Sequence, residues 1–588
     1  MSNTSPIFIV SLLASAVALK AQEAPDPTLD VPLASDLPVD VAPQQASPST
    51  NVTANLIGRL VQKGILSQAE AVEMIQQAEA EALAAQTTET NGPPFAPDSD
   101  DMRVTHIPEI VRNDMRDEIK QELMAQAREE NWGGDSSPDW TSKFRPFGDI
   151  RGRYEMNFFG DGNDNTGAFP NFGSINSGAP FDTSGTQFSP QYNVDQDRNR
   201  ARIRARFGTD ILLGDGFNGG IRFATGDSNS PTSTNQTLGG SGGNYSKYAI
   251  WLDRAFLSYD AGPGAGDGEE LVFMLGRFDN PFLSTDMHWD DDLGFDGVAV
   301  RGKVRINDSL STFFTAGYFP VYNTDFNVAS NQPSKFESTD KWLTGTQLGM
   351  EWKINDDLTA KFGASYYDFD AIEGKLSSPF IPLSSNDAGD TDTTRPGFAQ
   401  RGNTYMALRN IDNSTAANDF GNRYQYQYYG LASKFRNLTL TGRLDYDAYN
   451  PYRLSLLGEA TKNLAFDESG IASRAVNNRG PVTNGIGAFE GGDTAWNISL
   501  QFGKPAMENL GDWQGSFGYR YIESDAVVDG FTDSDFGGGG TNLQGFVLGA
   551  SMAINPAVRC GARWMSADEI IGSPLSTDSL QLDINAKF

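Results

Sequence analysis

From Phe144 to the C-terminus, apolar and polar residues alternate with period two, in runs separated by Gly, Asn and Asp. The last run, LQLDINAKF, puts Leu580, Leu582, Ile584, Ala586 and Phe588 on one face and Gln581, Asp583, Asn585 and Lys587 on the other. FGDIRGRYEMNF sets Ile150, Gly152, Tyr154, Met156 and Phe158 against Asp149, Arg151, Arg153, Glu155 and Asn157. Successive strand side chains point to opposite faces, so this pattern predicts strands with one apolar face. In RNRARIRARFG the polar face is a ladder of Arg198, Arg200, Arg202, Arg204 and Arg206, opposed by Ala201, Ile203, Ala205 and Phe207. Five like charges spaced two apart repel one another. They call for counter-charges, or for an aqueous space beside an acidic surface, and the wall of a pore offers both. A solvated strand face binding an anionic partner is the alternative. VAVRGKVR repeats the pattern with Arg301, Lys303 and Arg305 against Val298, Val300, Gly302 and Val304, and LTLTGRLDY with Arg443 and Asp445 against Leu438, Leu440, Leu444 and Tyr446.

The runs have the roughly ten-residue length that a tilted strand needs to cross a bilayer. Short turns such as LLGDGF, KVRINDS, INDD and INPA alternate with long polar stretches at 160–197, 227–247 and 370–423. That alternation marks an outer-membrane barrel, with turns in the periplasm and long loops outside. Tyr154, Phe158, Tyr259, Tyr318, Phe319, Trp342, Trp352, Tyr366 and Tyr446 fall near run ends, as interfacial aromatic girdles require. The runs number about 17, whereas bacterial single-chain barrels have an even count. The expectation is an all-β, antiparallel transmembrane barrel over 144–588, of 16 strands with 18 as the alternative, the surplus lying in 401–462.

The chain before the barrel reads differently. IFIVSLLASAVAL is too short to span a membrane and suits a signal-peptide core over 1–21, with cleavage after Ala18 or Ala21, although MSNTSP carries no Lys or Arg. Residues 22–54 are rich in Pro, Asp, Ser and Ala and predict a disordered linker. A helical hairpin is expected over 55–86, where Gly64 closes the first helix and Ser67 with Glu70 forms a capping box opening the second. After a linker at 87–105, Val111, Met115, Ile119, Leu123 and Ala127 make one apolar stripe on an amphipathic helix over 106–132. Alone in water that helix is marginal, so it predicts either a coiled coil between subunits or docking on the main domain.

The 588 residues carry a net charge of −31, which argues against nucleic acid as a partner. No run approaches the roughly 20 apolar residues of a spanning helix. Cys560 is the one cysteine, so no intrachain disulfide forms. The only histidines are His106 and His288. His288 stands among aspartates in DMHWDDD, where an Asp–His pair activating water, or a serine nucleophile served by this His, are the enzymatic arrangements to weigh; the reading is not an enzyme, with no catalytic residues. The Asp-rich GDGNDN and GFTDSDFGGGG are a weak pointer to Ca²⁺, because their spacing matches no EF-hand loop. No other cofactor or metal is expected.

KGILSQAEA, FGDIRGRYE, DRNRARIRARFG, LGRFDNPFLSTDMHWDDDLGFDGVAVRG and YIESDAVVDGFTDSDFGGGGTNLQG together resemble the bacterial putative-porin family, large outer-membrane channels that join an N-terminal helical segment to a barrel. The resemblance covers most of the chain after Leu56. It implies the outer membrane of a Gram-negative-type bacterium, contact with outer-membrane lipid, a homotrimer, and periplasmic N-terminal helices able to touch the cell wall. An aromatic C-terminus is common among such proteins. Porins generally fold the loop after the fifth strand inward to narrow the pore. LVFMLGRF reads as that strand, so the resemblance makes DNPFLSTDMHWDDDLGFDG the constriction loop, with Asp279, Asp286, Asp290, Asp291, Asp292 and Asp296. Arg202, Arg204 and Arg206 would stand opposite, with Arg151, Arg153 and Arg222 nearby. Basic wall against acidic loop makes a transverse field. The expected function is passive diffusion of ions and small polar solutes, leaning to anions. A cell-envelope anchor and a substrate-specific anion channel are the alternatives.

Overall fold

The computed structural model describes residues 139–177, 181–182, 189–262, 269–325, 328–329, 332–384, 387–412, 426–481 and 487–588. The chain divides into two units, Met1–Glu122 and Leu123–Phe588, and every described residue belongs to the second. The expected signal segment, both linkers, the hairpin and the amphipathic helix with His106 lie outside the described residues.

Sixteen long strands follow one another: β1 Phe144–Phe159, β2 Arg198–Gly214, β3 Phe217–Thr225, β4 Ile250–Asp260, β5 Glu270–Asp279, β6 Gly294–Asn307, β7 Leu310–Tyr322 and β8 Lys341–Lys353. Then come β9 Leu358–Asp370, β10 Arg436–Tyr449, β11 Tyr452–Asn463, β12 Thr494–Gly503, β13 Trp513–Ile522, β14 Leu543–Ala553, β15 Val558–Glu569 and β16 Ser576–Lys587. Each pairs antiparallel with the next, and β16 pairs with β1 from Asp149↔Lys587 to Phe159↔Thr577. The result is a closed 16-strand antiparallel barrel. LQLDINAKF is its closing strand: the Gly148 and Phe588 backbones exchange hydrogen bonds of 2.9 and 3.0 Å. Closure leaves no edge strand to solvate or to pair elsewhere. Within 401–462, the short strands Tyr405–Ala407, Tyr426–Gln427 and Tyr429–Leu431 sit outside the barrel sheet, so this region adds only β10 and β11 to it.

At one end the strands join through tight connections, such as 215–216, 308–309 and 354–357; at the other, through long ones, such as 160–197, 371–435 and 523–542. The β2–β3 turn shows why the tight ones form. Asp215 (φ 51°) and Gly216 (φ 82°) both adopt left-handed backbone, the conformation that lets two residues reverse twisted strands. A Cβ on Gly216 would approach the Asp260 carbonyl oxygen to 2.5 Å.

The two faces of the wall differ as the alternation predicts. Leu348, Leu440, Leu548, Ile584 and Ile150 are exposed outward, while Gln347, Thr439, Thr441, Ser579 and Gln581 are buried inward. Aromatic residues gather near the strand ends on the outer face. Tyr318 stacks on Trp342 at the long-loop end, with centroids 4.5 Å apart. Phe217 packs on Tyr259 at 4.5 Å, and Phe502 on Trp513 at 5.9 Å, at the turn end. Phe319 departs from the girdle expectation. It is buried in the interior cluster against Phe278 and Phe295, because it is one position out of phase with Tyr318 on the same strand. Among the described residues no helix is long and apolar enough to cross a membrane, which says nothing of a barrel that crosses with strands.

A side chain at Gly148 would press on the Phe588 ring (2.6 Å) and on the Arg206 carbonyl oxygen (2.8 Å) at the β1–β16 seam. Overpacking of this kind costs about 1–3 kcal/mol. Gly148→Val should therefore lower the fraction of protein that migrates as the compact, heat-modifiable form on unheated SDS gels.

Candidate functional site

The arginine ladder of β2 lies inside the barrel, and four of its five charges are met by carboxylates on neighbouring strands and loops. Glu155 of β1 receives Arg200 and, at 3.2 Å, Arg202; Asp227 is also 3.7 Å from Arg202. Asp149 of β1 holds Arg204 at 2.9 Å and Arg206 at 2.7 Å. Arg153 pairs with Asp583 of β16 and with Asp535, both at 2.8 Å. Arg222 pairs with Asp253 (2.6 Å) and Asp279 (3.0 Å). Among the described residues, Arg151 and Arg198 have no carboxylate within 4.0 Å; Arg151 donates to the Asn235 side-chain oxygen. Arg301, Lys303 and Arg305 of β6 pair with Glu270, Glu351 and Asp308, close to the turn end and apart from the ladder.

The segment joining β5 and β6 runs through the barrel interior. Its backbone and side chains reach strands on the far arc. Leu283 exchanges two hydrogen bonds with the Gln347 amide of β8, at 2.9 and 2.8 Å. Thr285 donates its N–H and hydroxyl to Glu459 of β11, at 2.9 and 3.0 Å. Asp286 meets Arg520 of β13 at 2.5 Å. Phe282, Trp289 and Leu293 join Phe278, Phe295, Tyr367 and Phe369 in one apolar cluster inside the wall. The segment is thus held by polar bonds at its tip and by ring packing at its root.

This geometry corrects the expected arrangement of acids and bases in two ways. Asp279 and Asp296 are strand residues, of β5 and β6, not residues of the inward segment; Asp296 pairs with Arg277 at 2.9 Å. Asp292 does not stand across an open gap from the ladder: it lies 3.7 Å from both Arg204 and Arg206. Charges buried this closely are drawn into contact because an unpaired one is costly. Asp290 and Asp291 are crowded by other carboxylates. Burial, with Asp533 and Asp292 nearby, pushes Asp290 up to about 9; burial, with Asp286 and Asp533 nearby, pushes Asp291 up to about 6.

His288 is buried with its ring against Trp289 and Tyr367, and Nδ1 lies 3.4 and 3.3 Å from the Thr461 and Thr439 hydroxyls. Burial lowers its pKa to about 3. No Asp–His pair forms, since its partners are hydroxyls. Among the described residues no group of three or more His, Cys, Asp and Glu is placed to hold a metal ion.

Sequence reasoning missed a second inward contribution. The β13–β14 segment brings Asp533 to Arg520 (2.8 Å) and Asp535 to Arg153 and Arg563 (2.8 and 2.9 Å), so its acids serve the arginines. Its neighbour is the β9–β10 segment. There the Asn403 amide donates to the Ser524 and Val527 carbonyls, Thr404 donates to Asp525, and the Tyr405 hydroxyl donates to Asp529 at 2.8 Å. Lys341 at the start of β8 ties the same segment through the Thr394 and Arg395 carbonyls, at 2.9 and 2.6 Å.

The family model described as "Putative porin" matches residues 50–588. The chain belongs to that family. Family and closed barrel together support an outer-membrane channel rather than an enzyme. Among solved structures the porin is similar to OprB of Pseudomonas putida (13% identity, 78% of this chain, 97% of that one, TM-score 0.40). It is also similar to the outer membrane channel DcaP of Acinetobacter baumannii (10%, 76% and 97%, 0.35) and an anion-selective porin from Comamonas acidovorans (11%, 76% and 99%, 0.33). At such identity neither solute nor assembly carries over from them. No curated protein matches the chain.

Two outcomes follow for the inward segments. Glu459→Ala removes the acceptor of both Thr285 donors, a loss of about 1–3 kcal/mol; it should speed proteolysis within 280–293 and lower the urea midpoint followed by tryptophan fluorescence. Burial raises Asp525 from 3.8 to about 6 and Asp529 to about 7. Packed loops therefore keep protons that opened loops release, so their contact is strongest below pH 4 and weakens as pH rises towards 7. Hydrogen exchange at 403–405 and 524–530, corrected for intrinsic rates, should show protection falling across that window.

Proposed function

We propose that this porin is a passive diffusion channel for ions and small polar solutes, with a basic wall and an acidic inward segment setting its preference. The observation that carries the reading is the path of 280–293 through the barrel interior to Gln347, Glu459 and Arg520. A segment fixed across a lumen narrows it and leaves passage along the remaining wall. In this reading Arg151, Arg153, Arg198, Arg200, Arg202, Arg204, Arg206, Arg222, Arg301, Lys303 and Arg305 line the pore, and Asp286, Asp290, Asp291 and Asp292 line the constriction. Asp279 and Asp296 flank it.

Anions are favoured weakly. The carboxylates of 286–292 are engaged with arginines or pushed towards their neutral form, while Arg151 and Arg198 have no carboxylate within 4.0 Å among the described residues and remain as cationic partners for a solute. The chain's overall −31 includes loop charges far from the lumen; screening over about 8 Å limits their reach. The outward apolar face contacts outer-membrane lipid, and the long-loop end faces the exterior. The same reading keeps the expected N-terminal helices in the periplasm, where they would be able to touch the cell wall. Homotrimeric assembly rests on the family resemblance.

Planar-bilayer recording of the purified mature protein tests this, with a salt gradient to read the reversal potential. The expected outcome is stepwise conductance with anion preference. Steps with cation preference would move control to the aspartates, and absence of steps from heat-modifiable protein would refute the open channel.

A further inference from the structure

On the turn side of the inward segment the lumen holds a cavity of about 430 Å³. Four cations line it, Arg204, Arg559, Arg563 and Lys587, with two carboxylates, Asp149 and Asp583. Both carboxylates are already committed. Asp583 accepts two hydrogen bonds from Arg153, at 2.8 and 2.9 Å. Asp149 is shared by Arg204 and Arg206. Arg563 is held by Asp535. Among the described residues, Arg559 and Lys587 have no carboxylate within 4.0 Å. Arg151 adds a third unmatched charge. It is cross-strand neighbour to the lining residues Asn585 and Arg204, and its buried Nε has no hydrogen-bond partner.

The rest of the lining is of another kind. Gln501, Gln514, Ser516 and Ser551 come from β12, β13 and β14, and Gly549 and Gly561 leave room between them. These side chains are neutral hydrogen-bonding groups. One arc of the cavity thus offers two cations without counter-charge, Arg559 and Lys587, beside the paired Arg204 and Arg563, and the other offers amides and hydroxyls.

We propose that this cavity is a binding site for a small polyhydroxylated carboxylate of the sugar-acid class. Guanidinium groups recognise a carboxylate through paired, charge-assisted hydrogen bonds. Serine hydroxyls and glutamine amides both donate and accept, which suits a run of hydroxyl groups. A simple anion uses one arc alone, and a neutral sugar leaves the cations unmatched. The site rests on the channel reading, because the lumen is the route by which a solute reaches it.

The test is titration calorimetry of the full mature protein, folded in detergent, with gluconate, glucose and acetate, alongside gluconate block of single-channel current. Gluconate should bind most tightly. The Arg559→Gln/Lys587→Gln double variant should raise its Kd by about tenfold or more. Gln514→Ala with Ser516→Ala should weaken gluconate and leave acetate unchanged. Heat-modifiable migration checks folding of each variant, and Lys587→Gln alone, at the end of the last strand, replaces the double variant if that fails to fold. Acetate or glucose binding as tightly as gluconate would overturn the proposal, as would unchanged gluconate binding in the cation variants. A conducting channel that neither binds gluconate nor is blocked by it would sink the site and keep the channel. Gluconate binding without conductance would sink the channel and keep the site.

Discussion

The structure depends on one constraint: a guanidinium shut inside a closed barrel needs acceptors, and most here find a carboxylate. The wall cuts water off from one side, and a buried charge left alone is far more costly than a paired one. Five arginines on one strand therefore dictate much of what surrounds them. Asp149 and Glu155 answer them from β1, and Asp227 and Asp292 from two connections, while Asp583 of β16 and Asp535 of a third connection answer Arg153 on β1. The connections carrying those acids are drawn inward by the same need. Apolar packing then holds them there, with Trp289, Tyr405 and Val528 from separate loops meeting in the cluster that includes Phe278 and Phe369.

Much of the barrel was legible because a period of two leaves little choice of face. The alternation in FGDIRGRYE and LQLDINAKF placed both strands, their polar sides and, through the aromatic terminus, the role of the last strand. What could not be read was pairing between distant segments. Asp149 and Glu155 were visible on the face shared with Arg151 and Arg153, yet nothing local says that β1 lies beside the ladder. In GFTDSDFGGGG the acids gave no more than a weak pointer to calcium; only the fold brings Arg520, Arg153 and Arg563 to Asp533 and Asp535. Phe319 and Tyr318 are adjacent aromatics, and sequence alone did not say which one faces lipid. The Asp-rich loop was found by composition, but its ends were misjudged because strand pairing extends through Asp279 and Asp296.

Charge and hydrogen bonding are divided around the wall. The arc from β15 through β1 to β4 carries most of the guanidinium groups. The arc from β10 to β14 is built largely from Thr, Ser, Asn, Gln and Gly, with Glu459 set among them to receive Thr285 and Thr441. A solute moving along the lumen would meet two surfaces of different chemistry at once, an anisotropy that a uniform ring of charge would lack.

The seam between β1 and β16 has a consequence for how the molecule comes to exist. Arg153 and Asp583 lie 430 positions apart, and their strands meet only when the final one arrives. Such distant pairing is slow, because chain entropy is lost long before the contact repays it. Until then the first strand is an open template that any other strand can occupy. A first strand left waiting in this way needs shielding from neighbours, and the paired backbones of Gly148 and Phe588 are part of the latch that ends that exposure.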